Sequence, residues 1–141
     1  MHAYDPRYLA GVLLFNAHDF FEAHEVWEDL WSESHGLQRR FYQGLIQAAV
    51  GLCHFTNGNL GGAAKLYRSS RDYMDGLGER FLGLDLPAFW RGMEECFRPV
   101  LGPDPPARET RPDPARVPCI RLTPEPESWP DPEEYLPEED E

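Results

Sequence analysis

The sequence predicts an all-α protein: a five-helix bundle made of two antiparallel helical hairpins plus a closing helix, with an extended proline-rich acidic C-terminal tail. Apolar residues recur at helical spacing through the first hundred residues, and no strand-like alternation competes with them there. Eleven of the 14 prolines lie between residues 103 and 141, which argues against a helix or a central strand over most of that stretch. We therefore expect a helical domain over residues 1–100 and a mostly irregular or disordered tail over residues 101–141.

Turn-forming residues delimit the five helices. Asp5 as an N-cap, followed by Pro6 at the first helical position, starts a helix over residues 6–16. The second helix is predicted over 19–33 and the third over 37–56. The third is apolar on nearly every side, which is typical of a central helix. A fourth over 60–76 follows a turn at residues 57–59, and a fifth restarts at 85–87 and ends at Pro99.

Composition limits the classes of partner. The formal net charge is −12; residues 1–100 carry 13 Asp and Glu against 9 Lys and Arg, and residues 101–141 carry 12 against 4. Neither part offers the basic face that binds a phosphate backbone, so we expect no nucleic-acid partner. No apolar run is long enough to span a bilayer, no secretory signal is evident, and the three scattered cysteines suit reduced thiols. These features predict a soluble cytoplasmic protein with no membrane partner.

The segment HDFFEAHEVWEDLW, residues 18–31, is the densest in aromatic and charged side chains. At about 100° per residue, His24 and Glu28 fall inside the apolar arc of the second helix, one turn apart. A carboxylate buried without a partner is costly, so both side chains are expected to have partners on a neighbouring helix.

The third helix supplies candidate partners. Gln43, Gln47 and His54 form a narrow polar stripe on an otherwise apolar cylinder. The predicted buried cluster is therefore His24, Glu28, Gln47 and His54. Further residues at its margin are Glu25, Gln43 and Arg71, with Trp31 as an aromatic wall.

Three interpretations of this cluster remain open. It can be a structural network of hydrogen bonds and ion pairs. It can be a metal or small-ligand site; a divalent metal would be held by His24, Glu28 and His54, as in a metal-dependent, hydrolase-like enzyme, although the spacing differs from the H-E-x-x-H of metalloproteases. It can also be an acid–base site without metal, for which the sequence shows no nucleophile.

The second hairpin also resembles a tetratricopeptide helix pair, with Gly51, Gly58, Ala63 and Tyr67 in corresponding positions. This similarity adds a further alternative, a peptide-interaction module that recognises a protein partner through the hairpins or the tail. The sequence leaves the oligomeric state open.

Two blocks of sequence carry a family resemblance: FNAHDFFEAHEVWEDLW, and FYQGLIQAAVGLCHFTNGNLGGAAKLY. The pattern F-F-E-x-H-E-x-W-E-x-x-W, then Y-Q-G-L-I-Q followed by H and G-N, resembles the prokaryotic family called domain of unknown function 309. The resemblance covers roughly residues 7–98. It implies an all-helical bundle of uncharacterised function, and it supplies no reaction, ligand set or catalytic residue. Its motif falls here on Phe21, Glu22, His24, Glu25, Glu28, Trp31, Gln43, Gln47, His54, Gly58 and Asn59.

Overall fold

A computed structural model of the chain describes residues 4–137. Five helices make up most of it: α1 (Pro6–Asn16), α2 (Phe20–Ser32), α3 (Gly36–Thr56), α4 (Leu60–Met74) and α5 (Leu86–Leu101). The all-α bundle predicted from the sequence is confirmed. Between α4 and α5 lies a small antiparallel hairpin of β1 (Arg80–Phe81) and β2 (Leu84–Asp85).

Three-residue connections join α1 to α2, α2 to α3 and α3 to α4. Such short connections make consecutive helices antiparallel neighbours. The central helix α3 packs between α2 and α4, as its almost continuous apolar surface predicts, and ten of its residues are buried. No helix in the described part of the chain is long and apolar enough to cross a membrane.

The contact between α3 and α4 is unusually close at Gly44. A Cβ on this residue would lie 2.7 Å from Cγ of Met74, so a larger side chain would push the two helices apart. The buried Ser70 hydroxyl donates a hydrogen bond of 2.6 Å to the Gly44 carbonyl oxygen. This contact fixes how the first half of α3 faces the end of α4.

Two local predictions are corrected. Pro99 does not end α5, which continues to Leu101. Only one helical hydrogen bond is lost there, and burial of Val100 favours the extra turn. The hairpin at residues 80–85 was not expected. Its two-residue turn, Leu82-Gly83, has positive φ at both positions, as in the tight turns that suit a twisted hairpin.

The tail is irregular apart from short 3₁₀ turns at Pro114–Arg116 and Pro132–Tyr135. It contacts the bundle at three places: Pro114–Arg116 lies against α5, Leu122 pairs with Leu84, and Pro132–Tyr135 lies against α1. Ile120 and Leu122 are buried, and the Asn16 amide holds Ile120 by accepting a hydrogen bond from its N–H (2.8 Å) and donating one to its carbonyl (2.9 Å). Disorder was expected for the acidic residues 131–141; residues 132–135 form the second of these turns, and residues 138–141 lie outside the described range.

Candidate functional site

The His24–Glu28 pair lies at the edge of α2, beside its buried face. The buried face consists of Phe20, Ala23, Val26, Trp27 and Leu30. Nε2 of His24 is 3.0 Å from Oε2 of Glu28, and the two side chains are 22% and 58% exposed. The one-turn spacing was predicted, but partners were expected on a neighbouring helix; instead the two side chains contact each other, and Glu28 is not buried. The apolar arc is narrower than the sequence indicates, and a carboxylate at its border turns toward water.

Both ring nitrogens of His24 face acceptors. Nδ1 is 3.0 Å from the Phe21 carbonyl oxygen, and Nε2 faces the Glu28 carboxylate. A neutral ring donates to one of these two acceptors, and the tautomer decides which. The exposed pair contributes at most about 1 kcal/mol to stability.

The other two members of the predicted cluster, Gln47 and His54, are not linked to the His24–Glu28 pair within the described residues. No hydrogen bond among residues 4–137 joins Gln47 or His54 to His24 or Glu28. His54 instead places Nδ1 3.4 Å from the Asn59 amide nitrogen, and the buried Oε1 of Gln47 has no hydrogen-bond partner in the described range. Glu25, on α2, is half-buried.

A metal ion would need three or more donor side chains facing one point. In the range 4–137, no three His, Cys, Asp or Glu side chains lie close enough together to hold one. The predicted metal set of His24, Glu28 and His54 is therefore not assembled.

Arg71 is in a different place from the one predicted. Its guanidinium donates a hydrogen bond of 2.9 Å to the Tyr67 hydroxyl, lies 3.7 Å from Glu94 and sits above the Trp90 ring. These partners belong to α4 and α5, on the far side of α3 from α2. A helical wheel of α4 alone does not show which neighbouring helix Arg71 faces, because both flanks of α4 contact other helices.

Two of the predicted residues, Trp31 and Gln43, do share a site. They line an open groove of about 350 Å³ where the end of α2, the start of α3 and the end of α4 meet. We call this the Trp31 groove; its lining residues are Trp31, Gly36, Arg39, Arg40, Gln43 and Tyr73.

Arg39 is the central cation of the Trp31 groove. Its guanidinium carbon lies 3.9 Å from the centroid of the Trp31 ring, a stacked cation–π arrangement worth about 0.5–1 kcal/mol at a partly exposed site. No side-chain hydrogen bond or ion pair from Arg39 to any residue between 4 and 137 is formed. The indole ring therefore holds the guanidinium in position, and the N–H donors of Arg39 have no side-chain partner within the described part of the chain.

The neighbouring groups complete the groove. Arg40 donates a hydrogen bond to the Asp75 carbonyl oxygen, which ties the start of α3 to the end of α4. Tyr73, 39% exposed, forms the wall contributed by α4. The N-cap position of α3, His35, makes no side-chain capping bond, so the positive end of this 21-residue helix lies beside Gly36 without a side-chain cap. Sequence reasoning missed Arg39, Arg40 and Tyr73.

A second cavity, of about 460 Å³, surrounds Arg7 at the start of α1. Here Arg7 contacts Asp5 at 3.1 Å and Glu33 at 2.9 Å. Burial opposes ionisation of Asp5, but the hydrogen bonds from Arg7 outweigh it and hold the pKa of that carboxyl below its ordinary value. In the same cavity, burial raises the pKa of Tyr42 to about 12. We call this the Arg7 cavity.

Comparison with known proteins agrees with the sequence motifs. Residues 8–66 match the model of a family described as Domain of unknown function (DUF309). The chain is 38% identical over 69 residues to the uncharacterized protein YpuF of Bacillus subtilis, covering 48% of this chain and 40% of that protein. It is 30% identical over 84 residues to an uncharacterized protein of Aquifex aeolicus, covering 59% of this chain and 25% of that one.

The chain thus spans well under half the length of these two relatives. The matched segment runs from α1 into α4 and contains Trp31, Arg39 and Gln43, but not Tyr73. Residues 8–66 are thus similar to the family described as Domain of unknown function (DUF309).

Proposed function

We propose that this domain is a binding protein that takes a small anion in the Trp31 groove. The observation that carries the proposal is the state of Arg39: a cation fixed by stacking on Trp31, with no carboxylate partner among the described residues. A guanidinium in this state presents its N–H donors as a fork that matches carboxylate or phosphate oxygens.

Three positive features meet in the groove. They are Arg39, Arg40 and the N-terminal end of α3. The chain as a whole carries a net charge of −12, so a local concentration of positive charge stands out against its surroundings. The groove is small, which favours a small molecule over a polymer.

The sequence offered other functions for the domain. The proposed anion site agrees with the small-ligand hypothesis, but it lies in the Trp31 groove and not at the His24 cluster. A metal-dependent enzyme built on His24, Glu28 and His54 has no three-donor set among residues 4–137 to support it. The tetratricopeptide-like interaction module remains a separate proposal.

The test is a titration of ¹⁵N-labelled protein with inorganic phosphate, followed by amide chemical shifts. We expect saturable shifts confined to residues 36–43 and 73, with a dissociation constant on the order of 1 mM, since one fork and a helix end contribute. Arg39→Gln should weaken binding at least about tenfold.

Arg91→Gln is the matched control. Arg91 is exposed on α5, outside the groove. Its substitution removes the same charge as Arg39→Gln, so phosphate binding should stay as in the wild type. Shifts spread over the whole surface, or equal weakening by both variants, would mean that net charge rather than the groove attracts the anion.

A further inference from the structure

We infer that the ligand of the Trp31 groove carries a flat conjugated ring as well as its negative charge, as a mononucleotide or a heteroaromatic carboxylate does. This inference rests on the proposed anion site and adds the shape of the ligand. It is drawn mainly from the aromatic and amide side chains of the groove, on which the proposed anion site does not depend.

Flat surfaces line the groove on more than one side. Trp31 contributes an indole from α2, and Tyr73 contributes a phenol ring from α4. The Arg39 guanidinium, 3.9 Å from the Trp31 centroid, adds a further planar group to the lining of the groove. Planar rings stack favourably on guanidinium planes and on aromatic faces, and base–aromatic stacking is worth about 1–3 kcal/mol.

Tyr73 and Trp31 are more exposed than the tyrosines of the core. Tyr73 is 39% exposed, whereas Tyr8, Tyr42 and Tyr67 are each below 5%. Two aromatic residues from different helices line the same groove beside a cation that has no ion-pair partner among residues 4–137, and they leave apolar surface that a flat ligand would cover.

Gln43 adds a polar group to the same groove. It is half-buried on α3, between the two aromatic walls, and its amide makes no side-chain hydrogen bond to any described residue. An amide carries both donors and an acceptor, which can pair with the nitrogen and carbonyl edge of a heterocycle. The volume of about 350 Å³ has room for one ring with a charged substituent, at the small end of ligand sites.

The experiment compares ligands that differ only in the ring. AMP is titrated against ribose 5-phosphate, and benzoate against cyclohexanecarboxylate, with the full chain and the same amide shifts as readout. We expect the flat ligand of each pair to bind about tenfold more tightly. Tyr73→Leu should remove most of that advantage and leave the affinity for ribose 5-phosphate within about twofold.

Phe21→Leu is the matched control, because Phe21 is an aromatic side chain 54% exposed on α2 outside the groove. It should preserve the preference. Equal affinities within each pair would overturn the inference about the ring while leaving the anion site intact. Failure of ribose 5-phosphate and phosphate to bind at all would overturn both, and so would a ring preference that survives Arg39→Gln and Tyr73→Leu unchanged.

Discussion

Arg7 and Arg39 are two half-buried arginines in two cavities of the same bundle, and they are held in opposite ways. Arg7 is fixed by the carboxylates of Asp5 and Glu33, at 3.1 and 2.9 Å. Arg39 is fixed by the face of Trp31, at 3.9 Å from the ring centroid. The Arg7 cavity is the larger, at about 460 Å³ against about 350 Å³.

The difference determines what each cation can do. Carboxylates neutralise Arg7 and occupy its donors, so it joins the start of α1 to the end of α2 and contributes to the fold. An aromatic ring positions Arg39 without neutralising it or accepting its hydrogen bonds. The size of a cavity is therefore a poorer guide to an anion site than the partners of its charges.

The largest expected effect distinguishes the two arginines by stability. Arg7→Ala should lower the free energy of unfolding by about 1–2 kcal/mol, because it leaves the partly buried Asp5 without its partner. Arg39→Ala should lower it by only about 0.5 kcal/mol, the value of an exposed cation–π contact. Urea denaturation of both variants beside the wild type measures this; equal losses would remove the distinction.

The pH dependence of stability should also distinguish Arg7 from Arg39. Because the pKa of Asp5 is lower in the folded than in the unfolded chain, its ionisation stabilises the fold above about pH 4. That contribution is lost as pH falls through the folded pKa. In Arg7→Ala and Asp5→Asn, the free energy of unfolding should therefore fall less steeply between about pH 5 and about pH 2. Arg39→Ala should follow the wild-type curve, and a flatter curve for it would contradict the comparison.

Removing the carboxylates of Asp5 and Glu33 should allow the Arg7 cavity to bind an anion, as we propose for the Trp31 groove. In the double variant Asp5→Asn, Glu33→Gln, we expect phosphate to produce a second set of saturable amide shifts at the start of α1. The affinity should be weak, on the order of 10 mM, because no ring fixes the guanidinium. Asp29→Asn, a change at an exposed acid on α2, controls for net charge. No new binding in the double variant would show that freeing a cation is insufficient.

The smallest effect concerns the indole that holds Arg39. Trp31→Leu should weaken phosphate binding about threefold, because the guanidinium loses the stacking that orients it but keeps its charge. Trp129→Leu, at a tryptophan 38% exposed on the tail, should leave binding unchanged. An effect of Trp31→Leu as large as that of Arg39→Gln would indicate that the ligand contacts the indole directly.

The sequence identified several residues of the candidate site, but it did not show which of them lie together. The one-turn spacing of His24 and Glu28 is local, and their contact at 3.0 Å follows from it. The same wheel put Glu28 inside the apolar arc, because the width of a buried face depends on the helices that cover it. Trp31 and Gln43 were identified, but with His54 and Arg71, which lie elsewhere.

Arg39 was missed because an arginine near a helix start has no local signal that separates it from a solvated charge. Its meeting with Trp31 depends on how α2 and α3 turn about the connection at residues 33–35. Tyr73 required the close contact of α3 with α4 at Gly44, 29 residues earlier in the chain. The Asn16–Ile120 contact, across 104 residues, is of the same kind.

The sequence by itself determined the five helices and the central position of α3, because periodicity, caps and turns act over a few residues. Only the tertiary structure decided which charges are neutralised. An ion pair or a stacked cation depends on angles between helices to within an ångström or so, and no helical period encodes those angles.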